Sequence, residues 1–373
     1  MNGAHRLAQI PAGVQCFVGE EARRRRRIEE TAIGVFEGWD YEEIIPPLFD
    51  YADVFTSESL SARTYSFVGR DGSVLALRPD FTSLLAKIAA GRLRDRPTPI
   101  RLYYSGEVVR YEPPKAGRQS ELFQMGLEHL GGDSRTADAE VLTIAAECLD
   151  RLGVSGFVLT LGHVGVFTGL LEGSDLEPAR LEDLRDRVEA KDAQGIRRAL
   201  SGVDLPQDRR DALERLAALA GGSDVLLDAA EVVADCPAAA EALGQLRTVW
   251  EALDRAGLGS CLAVDLGEVR GLDYYTGLVF RVFAPGLGFE VGGGGRYDTL
   301  LGRFGRPLPA VGFMLGLDRV ALLLARQKGE PAPPPEPVHP VADADLGSAL
   351  AEARSKREKG VRVRLDKHDG GDP

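Results

Sequence analysis

The stretch Gly292-Gly-Gly-Gly-Arg-Tyr-Asp298, together with the later stretch Gly312-Phe-Met-Leu-Gly-Leu-Asp-Arg319, carries the most information about the fold. Four consecutive glycines in a strand context predict a close approach of the backbone to a ligand or to another part of the chain. The stretch lacks the G-x-G-x-x-G spacing of a dinucleotide-binding turn and the G-K-[ST] ending of a P-loop. Residues 311–326 predict an apolar helix, or a strand that leads into one. The sequence therefore excludes two common nucleotide-binding folds.

Strands that follow one another through hairpin-like turns surround this stretch. Residues 65–68 and 74–77 predict a strand, a turn and a strand, and residues 100–111 and 122–130 predict a longer antiparallel pair. Further strands are predicted at 157–161, 263–266, 278–283 and 289–291, and helices at 20–37, 79–91 and 138–152. In the first helix, Ile28, Ala32, Val35 and Phe36 form the predicted buried stripe. This order predicts an α+β fold, with an antiparallel sheet flanked by helices.

The composition changes twice along the chain. Residues 172–257 are rich in Ala, Leu, Asp, Glu and Arg with Gly or Pro breaks, which predicts a helical insertion into a core formed by 1–171 and 258–327. Residues 328–340 are dense in proline and predict a linker. Residues 341–373 are short and polar, and predict a small appendage or a partly disordered tail.

The totals restrict the class of function. The 373 residues carry 45 basic and 57 acidic side chains, a net charge of −12, and nucleic-acid binding draws on Lys and Arg. We therefore expect no nucleic-acid partner, although residues 23–27 are five consecutive arginines. Glutamates flank that run, which favours a solvated helix face over a nucleic-acid patch. Scattered cysteines and histidines predict neither disulfides nor a metal site, and the absence of a long apolar run predicts a cytoplasmic protein.

One candidate site surrounds the loop between the two longer strands. Arg110, Glu112 and Arg118 bracket this loop, and arginines grip phosphate oxygens in a bidentate manner. Gln124 and Glu128 lie four residues apart and so on one face of a strand, where they could receive a ligand's donors. The alternative is a surface hairpin held by salt bridges.

A second candidate is the loop Glu268-Val-Arg-Gly-Leu-Asp-Tyr-Tyr-Thr-Gly277. An Arg beside a Gly, followed by an Asp and paired tyrosines, places charge and hydroxyl groups within ten residues. Such a loop can line a pocket with polar groups at fixed positions. The alternative is a structural turn.

Taken together, five segments resemble the histidyl-tRNA synthetases. They are Leu77-Arg-Pro-Asp-Phe-Thr82, Val109-Arg-Tyr-Glu112, Arg270-Gly-Leu-Asp-Tyr-Tyr275, Gly293-Gly-Gly-Arg-Tyr-Asp298 and Gly312-Phe-Met-Leu-Gly-Leu-Asp-Arg319, in that family's order. The resemblance covers about residues 10–327. It implies a class II aminoacyl-tRNA synthetase-like sheet of six or seven antiparallel strands, and self-dimerisation through the first motif.

The resemblance also implies the site residues. Arg110 would grip the α-phosphate of ATP, and Arg319 the γ-phosphate. The implied histidine-binding residues are Asp80, Thr82, Arg110, Gln124, Glu128, Arg270, Tyr274 and Tyr275. A nucleotide-like pocket would be formed by Glu112, Arg118 and Arg319, without a metal or other cofactor.

Departures from the synthetase pattern alter the expected function. Only 33 residues follow Pro340, too few for the C-terminal tRNA-reading domain of about a hundred residues that synthetases carry. Leu122 stands where synthetases stack a Phe on adenine, Glu121 is expected to repel phosphate, and Asp80 replaces a Glu.

A paralogous family shares this plan: the regulatory subunits of ATP phosphoribosyltransferase. The resemblance implies a non-catalytic protein that binds the short-form catalytic subunit of that enzyme. It would be required for the activity and the histidine feedback of that subunit in the first step of histidine biosynthesis. Two alternatives stay open: a truncated synthetase-like enzyme that activates histidine with ATP, and a binding module that senses histidine or uncharged tRNA.

Overall fold

The computed structural model describes residues 9–55, 60, 62–111, 119–269, 274–328, 339–341 and 346–365. The chain divides into two compact units, Met1–Lys328 and Gly329–Pro373.

The first unit is built on two sheets. Its strands are β1 (Glu42–Glu43), β2 (Phe49–Tyr51), β3 (Ser66–Val68), β4 (Val74–Leu77), β5 (Ile100–Val109), β6 (Glu121–Leu130), β7 (Val158–His163), β8 (Ala220–Gly221), β9 (Leu262–Asp265), β10 (Leu278–Phe283), β11 (Gly292–Arg296) and β12 (Ala310–Gly316). The large sheet has the order β1-β5-β6-β12-β11-β10-β7-β9-β8, and the small one the order β2-β4-β3.

Six neighbouring strands of the large sheet, from β5 to β7, pair in antiparallel fashion. This confirms the predicted antiparallel sheet. The described sheet has nine strands rather than six or seven, because β1 and β9 add parallel pairs at its two ends and β8 pairs with β9.

The helices of the first unit cover and extend the large sheet. They are α1 (Gly19–Gly38), α2 (Thr82–Ala90), α3 (Ser134–Leu152), α4 (Val164–Leu170), α5 (Pro178–Glu189), α6 (Ala193–Ala199), α7 (Gln207–Ala218), α8 (Asp224–Val232), α9 (Pro237–Arg255) and α10 (Leu317–Lys328). We call 178–255, which contains α5 to α9, the helical segment. Its buried side chains join the main core, and its status as an insertion stays a prediction.

Helices α1 and α3 can be compared directly with the predictions from local sequence. The buried residues of α1 are the predicted stripe Ile28, Ala32, Val35 and Phe36, so that prediction is confirmed. Helix α3 begins four residues earlier than expected, because the Asp133 side chain accepts a hydrogen bond from the Thr136 amide and caps the helix. Arg23 and Arg27 of α1 pair with Glu20 and Arg26 pairs with Glu29, as expected of a solvated helix face, whereas Arg25 is largely buried and pairs with Asp318 of α10.

The strand predicted at 289–291 is wrong, since the strand at this place is β11, the glycine run itself. Side chains would not fit there. A Cβ at Gly293 or Gly295 would lie 2.6 Å from the carbonyl oxygen of Phe280 or Leu278 in β10. The close approach that the glycines predicted is therefore to neighbouring strands.

The second unit contains β13 (His339–Val341), α11 (Leu346–Glu358) and β14 (Val363–Leu365). The two strands pair in parallel, and Ala349 and Ala353 of the helix pack against Val363. Part of the expected tail is thus a strand-helix-strand unit, while the predicted linker lies mostly outside the described residues. None of the helices in the described part of the chain has a stretch able to span a lipid bilayer.

Candidate functional site

A cavity of about 530 Å³ lies against one face of the large sheet. Seven of the predicted histidine-binding residues line it: Asp80, Thr82, Arg110, Gln124, Glu128, Tyr274 and Tyr275. Gln124 and Glu128 reach the cavity from the same face of β6, as their spacing predicted. Arg270, Glu112 and Arg118 lie outside the described residues, so their predicted roles stay predictions.

The segment that carries Asp80 and Thr82 is held in place by Arg78. The Arg78 guanidinium donates hydrogen bonds to the carbonyl oxygens of Glu107 (2.6 Å) and Pro46 (2.9 Å). It also lies 4.3 Å from the ring centre of Phe81, which stacks on Tyr104 at 4.1 Å. These contacts fix the start of α2 against β5 at the cavity wall.

Glu128 is the most deeply buried acid of the cavity, with 1% of its surface exposed. It accepts hydrogen bonds from the hydroxyl groups of Thr82 (2.7 Å) and Tyr297. Burial raises the pKa of Glu128 to about 8, against the lowering effect of those two hydrogen bonds. Gly312 lies opposite Glu128 on β12, where a Cβ would collide with the carboxylate.

Asp80 is also buried, with 3% of its surface exposed. Its Oδ2 accepts a hydrogen bond from the Ser83 hydroxyl at 3.0 Å, whereas Oδ1 receives none from the part of the chain that the structure describes. Burial raises the pKa of Asp80, and the charge of Arg110 opposes this shift. A buried acceptor of this kind costs stability unless a donor reaches it.

Arg110 approaches the same wall from the end of β5. Its Nε donates to the Pro79 carbonyl oxygen at 2.7 Å, which aims the guanidinium at the Asp80 segment. Burial lowers the pKa of Arg110, while the nearby Asp80 raises it. Such an arginine is suited to an anionic group of a ligand.

Three tyrosines form an aromatic group beside Glu128. The ring of Tyr274 lies edge-on to Tyr275 and to Tyr297, with centroid distances of 5.3 and 5.7 Å. Tyr297 was not predicted as a site residue, although it stands in the quoted glycine-rich motif. The pairing of β11 with β12 would have identified Tyr297, because it places the residue after β11 beside Glu128.

The far wall of the cavity is made of residues outside the predicted binding set, although Glu268 begins the second candidate loop. Arg281 of β10 donates to Glu268 (2.6 Å) and to Glu189, the last residue of α5 (2.9 Å). Burial raises the pKa of Glu268 to about 7, outweighing the opposite effect of Arg281. Glu189 and Glu268 are far apart in sequence, so no local pattern joins them.

Arg319 is absent from the described cavity wall. Its Nη1 donates to the carbonyl oxygen (2.8 Å) and the carboxylate (2.7 Å) of Glu290. Burial would raise the pKa of Glu290, yet Arg319 holds it below its ordinary value. Glu290 lines the cavity and Arg319 does not, so the member of this ion pair that faces the cavity is the acidic one.

Glu121 does not line the described cavity, so its expected effect on phosphate stays a prediction. Glu121 lines a separate groove of about 370 Å³ with Arg25 of α1, because side chains of β6 alternate between the faces of the sheet. Leu122 packs on the apolar cluster that contains Tyr104, the cavity side of β6.

Comparisons with known proteins identify the family. The family model described as histidyl-tRNA synthetase matches residues 13–320. The ATP phosphoribosyltransferase regulatory subunit of Moorella thermoacetica is 42% identical over 96% of this chain and 92% of its own length. That of Desulforamulus reducens is 37% identical over 96% of this chain and 90% of its own.

The chain belongs to the ATP phosphoribosyltransferase regulatory subunits. These stand within the wider histidyl-tRNA synthetase family, as the family model shows. A solved structure from Bacillus halodurans C, described as an ATP phosphoribosyltransferase regulatory subunit/histidyl-tRNA synthetase, has a TM-score of 0.86 and 28% identity, covering 98% of this chain and 94% of that one. The histidyl-tRNA synthetase of Nostoc sp. PCC 7120, at 21% identity and a TM-score of 0.78 over 97% of this chain and 86% of that one, shares the fold. The predicted family and class II fold are confirmed.

Proposed function

We propose that this chain is the regulatory subunit of an ATP phosphoribosyltransferase and acts in the cytoplasm in the first step of histidine biosynthesis. It binds the short-form catalytic subunit, is required for the activity of that subunit, and delivers its inhibition by histidine. It has no catalytic activity of its own. The observation that carries the proposal is similarity to regulatory subunits over nearly the whole chain.

The chemistry of the cavity supports histidine as the ligand. An amino acid offers an ammonium group, and Asp80 has a carboxylate oxygen without a described donor. A carboxylate suits the Arg110 guanidinium, and the imidazole N–H suits the buried Glu128, beside the aromatic edges of Tyr274 and Tyr275. Gln124, Thr82 and Arg270 complete the proposed set.

The environment of Arg319 supports the absence of catalysis. A synthetase-like reaction needs cationic groups that meet the phosphates of ATP. The Arg319 guanidinium is engaged by the Glu290 carboxylate, and four further acidic side chains, those of Asp80, Glu128, Glu189 and Glu268, line the cavity. Those that are ionised oppose a triphosphate at short range. Arg63, Arg110 and Arg281 also line the cavity, and they keep the alternative, activation of histidine with ATP, open to a test.

An exposed apolar face supports a self-dimer. Phe49, Tyr51 and Phe67 lie on the small sheet with 50%, 54% and 42% of their surfaces exposed. The Phe49 and Phe67 rings are 5.8 Å apart, so they form one continuous patch. Contiguous apolar patches of this kind mark interfaces, and a second copy of the chain is the proposed occupant.

Reconstitution with the short catalytic subunit tests the proposal. Addition of this chain should raise the turnover of the catalytic subunit, the two should co-elute on gel filtration, and histidine should inhibit only the mixture. Histidine-dependent exchange of pyrophosphate into ATP should be absent. Clear pyrophosphate exchange without any effect on the catalytic subunit would favour a histidine-activating enzyme over a regulatory subunit.

A further inference from the structure

The far wall of the cavity joins the helical segment to the loop that carries Tyr274 and Tyr275. Arg281 stands between the two, because it donates both to Glu189 at the end of α5 and to Glu268 at the start of this loop. All three residues line the cavity. Arg281 is therefore the shared partner of the last residue of α5 and of the first residue of this loop.

A second contact ties the same two parts together outside the cavity. Lys191, just after α5, forms an ion pair with Asp265 at 3.1 Å, and Asp265 accepts a hydrogen bond from the Gly267 amide at 2.9 Å. The Leu266 amide donates to the Leu219 carbonyl oxygen at the end of α7 at 3.0 Å. The turn at 265–269 is thus bonded to two helices of the segment.

The packing at this turn leaves little room for independent movement. A Cβ at Gly267 would lie 3.0 Å from the Ala217 carbonyl oxygen and 3.4 Å from that of Val188. Close-packed contacts of this kind transmit a displacement rather than absorb it. Val188 and Leu184 of α5 are fully buried, so the helix moves with its core.

We propose that the cluster of Glu189, Arg281 and Glu268 couples occupancy of the cavity to the conformation of the helical segment. A ligand in the cavity that engages Glu268 or Arg281 changes the bond between them, and Arg281 passes the change to Glu189 at the end of α5. The inference deepens the proposed regulatory function, since it names the route by which histidine binding reaches the outer helices. Coupling of this kind is reciprocal, so a change in α5 also alters the loop.

Hydrogen exchange measured by mass spectrometry on the full chain tests the coupling without a ligand. Glu189→Gln weakens its bond to Arg281, and exchange should rise roughly tenfold both in α5 and in residues 265–269 and 274–277. Glu214→Gln is the matched control, because Glu214 pairs with Arg197 inside the helical segment at 2.8 Å and does not line the cavity. The control should alter exchange only near α6 and α7. A rise confined to α5 in Glu189→Gln would overturn the inference.

Addition of L-histidine separates this inference from the proposed function. In the wild-type chain at saturating histidine, exchange should slow in the loop and also in α5. In Glu189→Gln, at its own saturating concentration, the slowing should stay in the loop. Binding seen by calorimetry with no change in wild-type α5 rejects the coupling. If histidine does not bind, the ligand in the proposed function is wrong, and the ligand-free comparison still decides the coupling.

Discussion

The two walls of the cavity handle their buried acids differently. On the near wall, Glu128 is held by the hydroxyls of Thr82 and Tyr297, and Asp80 has an oxygen without a described donor. On the far wall, Arg281 bonds Glu189 and Glu268 directly. The near wall thus leaves Asp80 Oδ1 for a ligand, whereas the two acids of the far wall share the guanidinium of Arg281. A buried acid held by hydroxyl groups, such as Glu128, is suited to binding, and a buried ion pair to holding two elements together.

The largest expected effect comes from breaking the far wall. Arg281→Met leaves Glu189 and Glu268 without their shared cation. Removal of one partner from a fully buried pair costs about 3 to 5 kcal/mol, and partial exposure here reduces the expected loss to about 2 kcal/mol. Urea unfolding followed by circular dichroism measures it. A loss below about 0.5 kcal/mol would show that these charges are solvated rather than structural.

Removal of the near-wall charge should weaken ligand binding instead. Glu128→Gln keeps the size of the side chain but cannot ionise, so above about pH 8, where Glu128 of the wild type is ionised, histidine affinity should fall about tenfold to a hundredfold, the range of a charge-assisted hydrogen bond. Isothermal calorimetry gives the affinity. Tyr297→Phe is the control, because it removes a donor to Glu128 and retains the acid, and its loss should be smaller. Equal losses would contradict the role of the charge.

The pH dependence of the free energy of unfolding should distinguish Glu128 on the near wall from Glu268 on the far wall. Burial raises the pKa of Glu128 to about 8 and of Glu268 to about 7, from an ordinary value of 4.5. The folded chain therefore binds protons more tightly than the unfolded chain. The resulting stability is complete below about pH 4.5 and is lost as the pH rises through 7 and 8.

In Glu128→Gln the decline between pH 5 and 8 should be shallower, by at most about 1.4 kcal/mol per pH unit. Thermal unfolding across this range measures the slope. The variant Glu268→Gln should flatten the curve only up to about pH 7. Identical slopes in the wild type and Glu128→Gln would mean that Glu128 titrates normally.

The smallest effect is expected away from both walls. Glu214→Gln removes an ion pair with Arg197 in which the arginine is largely exposed. Solvent screening limits such pairs to about 0 to 0.5 kcal/mol, and histidine affinity should not change. Urea unfolding and calorimetry check both. A loss as large as that of Arg281→Met would remove the distinction between the far wall and an ordinary surface pair.

The residues of the near wall could be predicted from the sequence better than those of the far wall, for a physical reason. Gln124 and Glu128 share a face because strand side chains alternate, and this rule needs only local sequence. The pairing of Glu189 with Arg281 joins residues 92 positions apart and depends on how α5 packs, which no local pattern contains. The strand at 289–291 was predicted in the wrong place for the same reason. Glycines are required in β11 because of its neighbouring strands, which local sequence does not reveal.

Beta strand β11 sets a limit on how the cavity can change over evolution. Its glycines are confined by carbonyl oxygens of both neighbouring strands, so substitution there distorts the sheet before it reshapes the cavity. The floor therefore tolerates little change, and a new ligand is best accommodated by changes in the loops and helices around it. An engineer who wishes to retarget the cavity should leave residues 292–295 and Gly312 alone and build the library on the walls.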